Sequence, residues 1–235
     1  MKGLLVRVGA DQSAGGGNWN SPVDSRTGRF VYTPIPEAKP NRAGLERYYE
    51  ETVPRCLEFG VPFPNHLRHS RMHLDPDFEH LTYGDRGSKG KQIATSLGAG
   101  DILVFYSGLM DNLEKKLVYA IIGLFIVDLI DRAVDWPDSA AHRNAHTRRE
   151  LAKDADDIIV VARAKGSGRL QRCVPIGEYR DRAYRVRKEL LEAWGNISAN
   201  DGYLQRSAVF PSLLNPGQFL DWWQSQNPVL AHNNA

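Results

Sequence analysis

The sequence predicts an α+β fold: a mixed, barrel-like β-sheet of roughly five to seven strands, surrounded by helices and followed by a helical C-terminal extension. Two observations carry this. Apolar, β-branched runs recur at residues 3–8, 102–106, 118–130 and 157–162. Beyond them Tyr179, Ala183, Val186, Leu190 and Trp194 follow three- and four-residue spacing, which sets the C-terminal part apart as helical. The expected division is a domain over residues 1–178 and an extension over 179–235 packed on it.

The elements follow in order. GLLVRV at residues 3–8 reads as a strand broken by Arg7, and residues 9–21 as a polar, glycine-rich loop. RFVYTPI at 29–35 alternates as a second strand, with Pro34 and Pro36 placing it at an edge. Residues 43–59 carry helical spacing, divided by Pro54. Residues 60–88 lack periodicity and hold many Pro, Gly, His and Asp. Such a long irregular segment is more often functional than inert. A short helix at 90–97 precedes two adjacent buried strands, and residues 135–149 read as a polar loop or a loop leading into a helix. Strands are expected again at 157–162 and 170–176. Gly195 suits a helix C-terminus, Asn215-Pro216 opens a last helix, and the closing AHNNA reads as a frayed end.

Composition excludes several classes. The chain has 235 residues, 42% hydrophobic and 25% charged, with a net charge of +2, which is neither a basic tail nor a disordered acidic chain. Two cysteines cannot build a disulfide framework. The apolar run from Leu117 to Ile130 carries Asp128 and falls short of the ~20 residues that span a bilayer. The N-terminal run is too short for a secretory signal. The expectation is a cytoplasmic protein without a membrane partner. The small net charge conceals a basic stretch. Between Arg163 and Lys188 nine basic residues face two acidic ones, a local charge of +7. Arg163, Arg172, Arg180 and Arg187 are candidates for a nucleic-acid backbone, and Arg169 for phosphate or ligand binding. A solvated helix face explains the same stretch.

Common catalytic signatures are absent. Gly15, Gly17 and Asn20 fail the dinucleotide fingerprint at its third position, and Gly90-Lys91 lacks the spacing of a P-loop. No GxSxG or HExxH occurs. The densest chemical cluster is His66, His69, His73, Asp75, Asp77, His80 and Asp85. Imidazoles and carboxylates move protons and ligate zinc or iron. The spacing matches no closed zinc site, so no metal or other cofactor is assigned, and a polar surface loop explains part of the cluster equally well. Within it, His73, Asp75 and Asp77 are the catalytic candidates, because Pro76 fixes how the two carboxylates project. Arg7 and Asp11 flank the glycine-rich loop with Ser21, as a ligand site or a structural pair. Glu37 follows the rigid Pro-Ile-Pro run. Asp101 precedes a strand whose end carries Tyr106, a side chain able to stack on a base or to sit in the core. His142, Asn144 and His146 form one more polar cluster able to complete a site.

These strings resemble a family. LVRVGAD, the glycine-rich loop, Ser21-Pro22-Val23, YTPIPE, HLDPD, GAGDILVFYSGL, the H-x-N-x-H segment and GSGRLQRCVPI look like the nucleotide modification associated domain 3 family over about Leu4 to Ile176. The resemblance implies a role around modified nucleotides in DNA, within bacterial or phage conflict systems and alongside partner enzymes. It points to Arg7, Asp11, Pro36, Glu37, His73, Asp75, Asp77, Gly100 and Asp101 as site residues. A second similarity, of fold alone, is to PUA-like base-binding domains, which take a flipped base into an aromatic-lined pocket. Three readings follow: a base-modifying enzyme acting on DNA or a nucleotide, a non-catalytic PUA-like reader, and a metal-dependent enzyme built on His66, His69, His73, Asp75 and Asp77.

Overall fold

The longest apolar run of the chain becomes the middle of a sheet. A segment rich in Ile, Val, Leu and Phe buries both of its faces when strands flank it and other elements cover it. In the computed structural model, which describes residues 1–12, 15–205 and 207–235, the early strands are β1 (Gly3–Arg7), β2 (Pro22–Val23), β3 (Ile35–Pro36), β4 (Met72–His73) and β5 (Thr82–Asp85). The long strands β6 (Ile102–Asp111) and β7 (Leu117–Arg132) follow, then β8 (Ile158–Ala162), β9 (Gly168–Pro175), β10 (Gly177–Arg180), β11 (Ala183–Val186) and β12 (Leu230–Ala231). The helices are α1 (Val53–Glu58), α2 (Asn65–Arg68), α3 (Gly87–Ser96), α4 (Lys188–Ala193) and α5 (Pro216–Ser225). Single 3-10 segments cover Tyr49–Glu51, Ala133–Asp135, Asp138–Arg143 and Asn200–Gly202.

The main sheet follows the order β1-β6-β7-β8-β5, with β2 beside β6, β9 beside β7 and β12 beside β9. β1 and β2 run parallel to β6, and the other pairs are antiparallel. β7 changes partner along its length. Residues 120–124 pair with β9 and residues 127–132 with β8, with register shifts between Ile121 and Gly123 and between Val127 and Leu129. The predicted mixed sheet with helices is present. The strand order is an open path among the described residues, and no closed barrel forms. No helix among them is long and apolar enough to cross a membrane.

The core centres on edge-on phenyl rings. Phe78 meets Phe105 at 5.7 Å and Phe125 at 5.5 Å. Gly123, at the β7 irregularity, makes this possible: a Cβ there would lie 2.5 Å from Phe78 Cε1. Phe78 therefore anchors the irregular segment that carries Asp75 and Asp77. A second cluster joins α4 to α5, where Trp194 packs on Phe219 and Trp222 at 5.2 and 5.0 Å.

Local expectations depart from the structure in several places. The strand expected at 29–35 shrinks to Ile35–Pro36 plus a bridge from Phe30 to Val23, since prolines supply no ladder N–H. The helix at 43–59 is a 3-10 turn followed by α1, with Pro54 in the first turn of α1. The segment at 135–149 contains one 3-10 turn, Asp138–Arg143, with another just ahead of it at Ala133–Asp135. The helix expected from Tyr179 is the hairpin β10–β11, turning at Asp181 (φ 50°) and Arg182 (φ 62°), and only Lys188–Ala193 is helical. The AHNNA end is tied down. Asn234 accepts from the Phe78 and Arg55 nitrogens and donates to Asp77, while Leu230–Ala231 adds to the sheet.

Candidate functional site

Three segments converge beside the sheet edge. β4 pairs with β3, placing Ile35 opposite His73 and so bringing Glu37 to the same spot. β5, held by β8, offers the Gly84 N–H to Asp75. The segment after the 3-10 turn at Asp138–Arg143 adds Asn144, His146 and Arg149, and Asp157 sits just before β8. All of these except Gly84 come from irregular backbone or a two-residue strand. Their precision comes from hydrogen bonds rather than from secondary structure.

Asp75 is buried and accepts from the Gly84 N–H (2.9 and 3.1 Å to its two oxygens) and from Asn144 Nδ2 (2.9 Å). Both donors are neutral. The imidazole Nε2 atoms of His73 and His146 face its Oδ2 at 3.9 and 3.8 Å, and the two rings pack edge to face at 4.9 Å. Gly84 has to be glycine, because a Cβ there would meet His146 Cδ2 at 2.4 Å. Burial pushes the Asp75 carboxyl well above the usual carboxylate range.

The far sides of both imidazoles are held by carboxylates. His73 Nδ1 lies 2.7 Å from Glu37 Oε2, and His146 Nδ1 lies 2.5 Å from Asp157 Oδ1. Arg149 lies between these supports, bonding Glu37 at 2.9–3.1 Å and reaching Asp157 at 3.5 Å. Burial alone would raise Glu37, but hydrogen bonds from His73 and Arg149 outweigh it and hold the carboxyl at about 2. Asp157 is likewise lowered, burial being overcome by His146 and Arg149. Burial lowers both histidines, His146 to about 4. Arg149 also approaches the two Nδ1 atoms, at 3.1 and 3.4 Å, but each lies closer to an ionised carboxylate, which only accepts, so each Nδ1 carries the hydrogen and each Nε2 is left with a lone pair.

This constellation borders a cavity of about 380 Å³. Its walls include Arg7, Tyr83, Arg86, Lys89, Tyr106, Arg149 and, across the opening, Val209 and Phe210. The volume lies in the range of small-molecule sites. Four of the wall residues are cationic. Arg7 also pairs with Asp11 and lies over the Tyr119 ring, and Lys89 lies 4.8 Å from the centre of the Phe210 ring.

Of the residues singled out in the sequence, Arg7, Pro36, His73, Asp75, Asp85, Tyr106 and His146 line the cavity, and Glu37 stands behind His73. Asp11 pairs with Arg7. The others lie elsewhere. Asp77 turns away from Asp75 and accepts from Arg148 (2.6 Å), His80 (3.1 Å) and Asn234 (3.0 Å). Burial would raise Asp77, but these partners hold it at about 2. Ser21 accepts from Met110 N through its carbonyl oxygen. Asp101 closes a turn onto Lys2 N and Gly98 N. Arg169 is buried against Asn233 and over Phe30.

Several members of the basic stretch are engaged by local acidic or carbonyl groups. Arg180 bonds Glu178 and Asp201, Arg187 reaches the Pro175 carbonyl and Glu189, and Arg163 pairs with Asp128. Arg172 is exposed and lines a separate hollow beside Gly28. His66 and His69 are exposed, so the five-residue cluster of the metal-dependent reading does not converge. Its partner set is replaced by His146. The H-x-N-x-H spacing signalled His146 and Asn144. Arg149 and Asp157 carried no motif, apart from charges adjoining otherwise buried segments.

Residues 2–207 match a family model described as nucleotide modification associated domain 3. No curated relative and no solved structure matches the chain.

Proposed function

The chain belongs to the nucleotide modification associated domain 3 family, and on that premise we propose that it is an enzyme of a nucleotide-modification system, acting on a nucleobase inserted into the cleft above His73, Asp75 and His146. The observation that carries this is the convergence of two buried imidazole edges and one buried carboxylate at the wall of a cavity of about 380 Å³. A purely structural polar cluster has its hydrogen bonds closed among its own members. Here the reactive edges face one another across a gap at the cavity wall.

Each wall has a role in this reading. Arg7, Arg86 and Lys89 supply positive charge for phosphate oxygens, while the rings of Tyr83 and Tyr106 flank the base. Glu37, Asp157 and Arg149 hold the imidazoles in one tautomer and orientation. A base within a duplex reaches such a cavity only by leaving the stack, which favours a flipped or single-stranded substrate. Asp77 contributes by fixing the segment after Asp75, as a positioning residue.

Nucleoside mass spectrometry tests the proposal. DNA and nucleotide pools from cells producing the protein together with the other genes of its source's modification system are compared with those producing Asp75→Asn or His146→Ala. A nucleoside present with the wild type and lost in both variants is the expected result. Identical profiles from wild type and variants, with all proteins folded and present, overturn the enzymatic reading. If the wild-type protein also binds modified DNA more tightly than unmodified DNA, the non-catalytic reader takes its place.

A further inference from the structure

The gap between His73, Asp75 and His146 has the character of an ion site. Three electron-pair donors face one point, and all three donor atoms lie within 4.8 Å of one another. The contacts of Asp75 Oδ2 to the two Nε2 atoms, 3.9 and 3.8 Å, are too long for hydrogen bonds. The hydrogen on each ring is committed to the opposite nitrogen by Glu37 or Asp157. No lysine or arginine among the described residues comes within ion-pair distance of Asp75. Lone pairs of like sign directed at one another in a buried place are unfavourable unless a cation or a proton lies between them.

We propose that His73, Asp75 and His146 hold one divalent first-row transition-metal ion, with Glu37 and Asp157 as the carboxylates that orient the two imidazoles from behind. Bonds of ~2.1 Å from nitrogen and oxygen to such an ion separate tetrahedral ligands by about 3.4 Å. The two spacings to Asp75 need to contract by about half an ångström, and the spacing between the two imidazoles, within 4.8 Å, by at most about 1.4 Å. Two imidazoles and one carboxylate select zinc, iron or a neighbour in that row over magnesium or calcium, which prefer oxygen alone. The Glu37–His73 and Asp157–His146 pairs are the carboxylate–imidazole couples that commonly back metal-bound histidines. Three protein ligands leave positions open, and the open side borders the cleft. That is the arrangement of a catalytic rather than a closed structural centre.

The inference rests on donor geometry and stands or falls independently of the nucleotide substrate. The protein is produced without a histidine tag, analysed for metals as purified, stripped by a chelator and titrated with Co²⁺ under absorbance and calorimetric detection. The expected result is one Co²⁺ per chain, displaced by Zn²⁺ or Fe²⁺ but not by comparable Mg²⁺. Asp75→Asn and His146→Ala abolish binding, and His69→Ala leaves it unchanged. Glu37→Gln touches no ion and weakens binding about 10- to 100-fold. It decides the matter if His146→Ala fails to fold. Folded, stripped wild type that takes up no Co²⁺ overturns the proposal. So does binding that Asp75→Asn and Glu37→Gln leave unaltered, or that Mg²⁺ matches.

Discussion

Asp75→Asn should make the metal-free protein more stable while removing its response to metal. The substitution keeps the shape of the side chain. Asn Oδ1 still accepts from the Gly84 N–H and Asn144 Nδ2, both 2.9 Å away in the wild type. Its amide group takes the place of the oxygen that faces the two Nε2 lone pairs, so a donor replaces an acceptor. What is lost is the second Gly84 contact at 3.1 Å, about 1 kcal/mol. What is relieved is the cost of burying a carboxyl without a cationic partner, which either stays ionised away from water or takes up a proton that the unfolded chain releases, a penalty of up to several kcal/mol. The net gain for the stripped protein is about 1–3 kcal/mol, or roughly 2–4 °C in Tm per kcal/mol for a chain of this size. Saturating metal reverses the order. At a thousandfold excess over Kd the wild type gains about 4.1 kcal/mol and the variant nothing. Thermal and urea unfolding of both proteins, stripped and loaded, measures all four values. A stripped variant less stable than stripped wild type, or metal stabilising both equally, refutes the reasoning.

Further outcomes follow from other parts of the structure. Arg148→Met leaves Asp77 buried without its guanidinium partner and should cost about 3–5 kcal/mol in urea unfolding. The ligand set of the cleft does not include Arg148, so Co²⁺ uptake by the folded fraction should persist. Asp111 accepts from the Ser25, Leu113 and Glu114 N–H groups at 2.6–3.0 Å and is held at about 2, hydrogen bonds outweighing burial. Asp111→Ala should cost about 1–2 kcal/mol at neutral pH. Because the folded pKa is depressed, the wild-type advantage is full above the unfolded value of ~3.9 and fades as pH falls toward 2, as unfolding across that range will show. Gly84→Ala pushes a Cβ onto the His146 ring and should lower Co²⁺ affinity at least tenfold, with the circular dichroism of the fold retained. Arg86→Ala should weaken binding to single-stranded DNA about evenly across sequences and reduce the salt slope by about 1.

The parts of the site that could be read from the sequence were those in which local chain chemistry is unusual. His73-Leu74-Asp75-Pro76-Asp77 stood out because proline restricts its neighbours, and two of its three polar side chains reach the cleft. The third, Asp77, could not be separated from Asp75 by pattern, since its direction depends on Arg148 and on Asn234, far along the chain. Arg149 and Asp157 belong to the site only through tertiary folding, and neither sits in a spacing that chemistry demands. The strands β1, β6, β7 and β8 were legible because continuous apolar runs longer than a turn have few other ways to be buried. The hairpin β10–β11 was not. Tyr179, Ala183 and Val186 satisfy a helical period, and the turn that overrides it is made by Asp181 and Arg182, side chains that seldom adopt positive φ.

Arg149 gives the two halves of the site a common fate. One guanidinium braces both Glu37, which supports His73, and Asp157, which supports His146. The imidazoles are therefore not two separately adjustable parts. A change that loosens either carboxylate frees the arginine to swing toward the other, altering the basicity and tilt of the remaining ring. Paired substitutions across this brace should depart from additivity, as groups sharing one partner do.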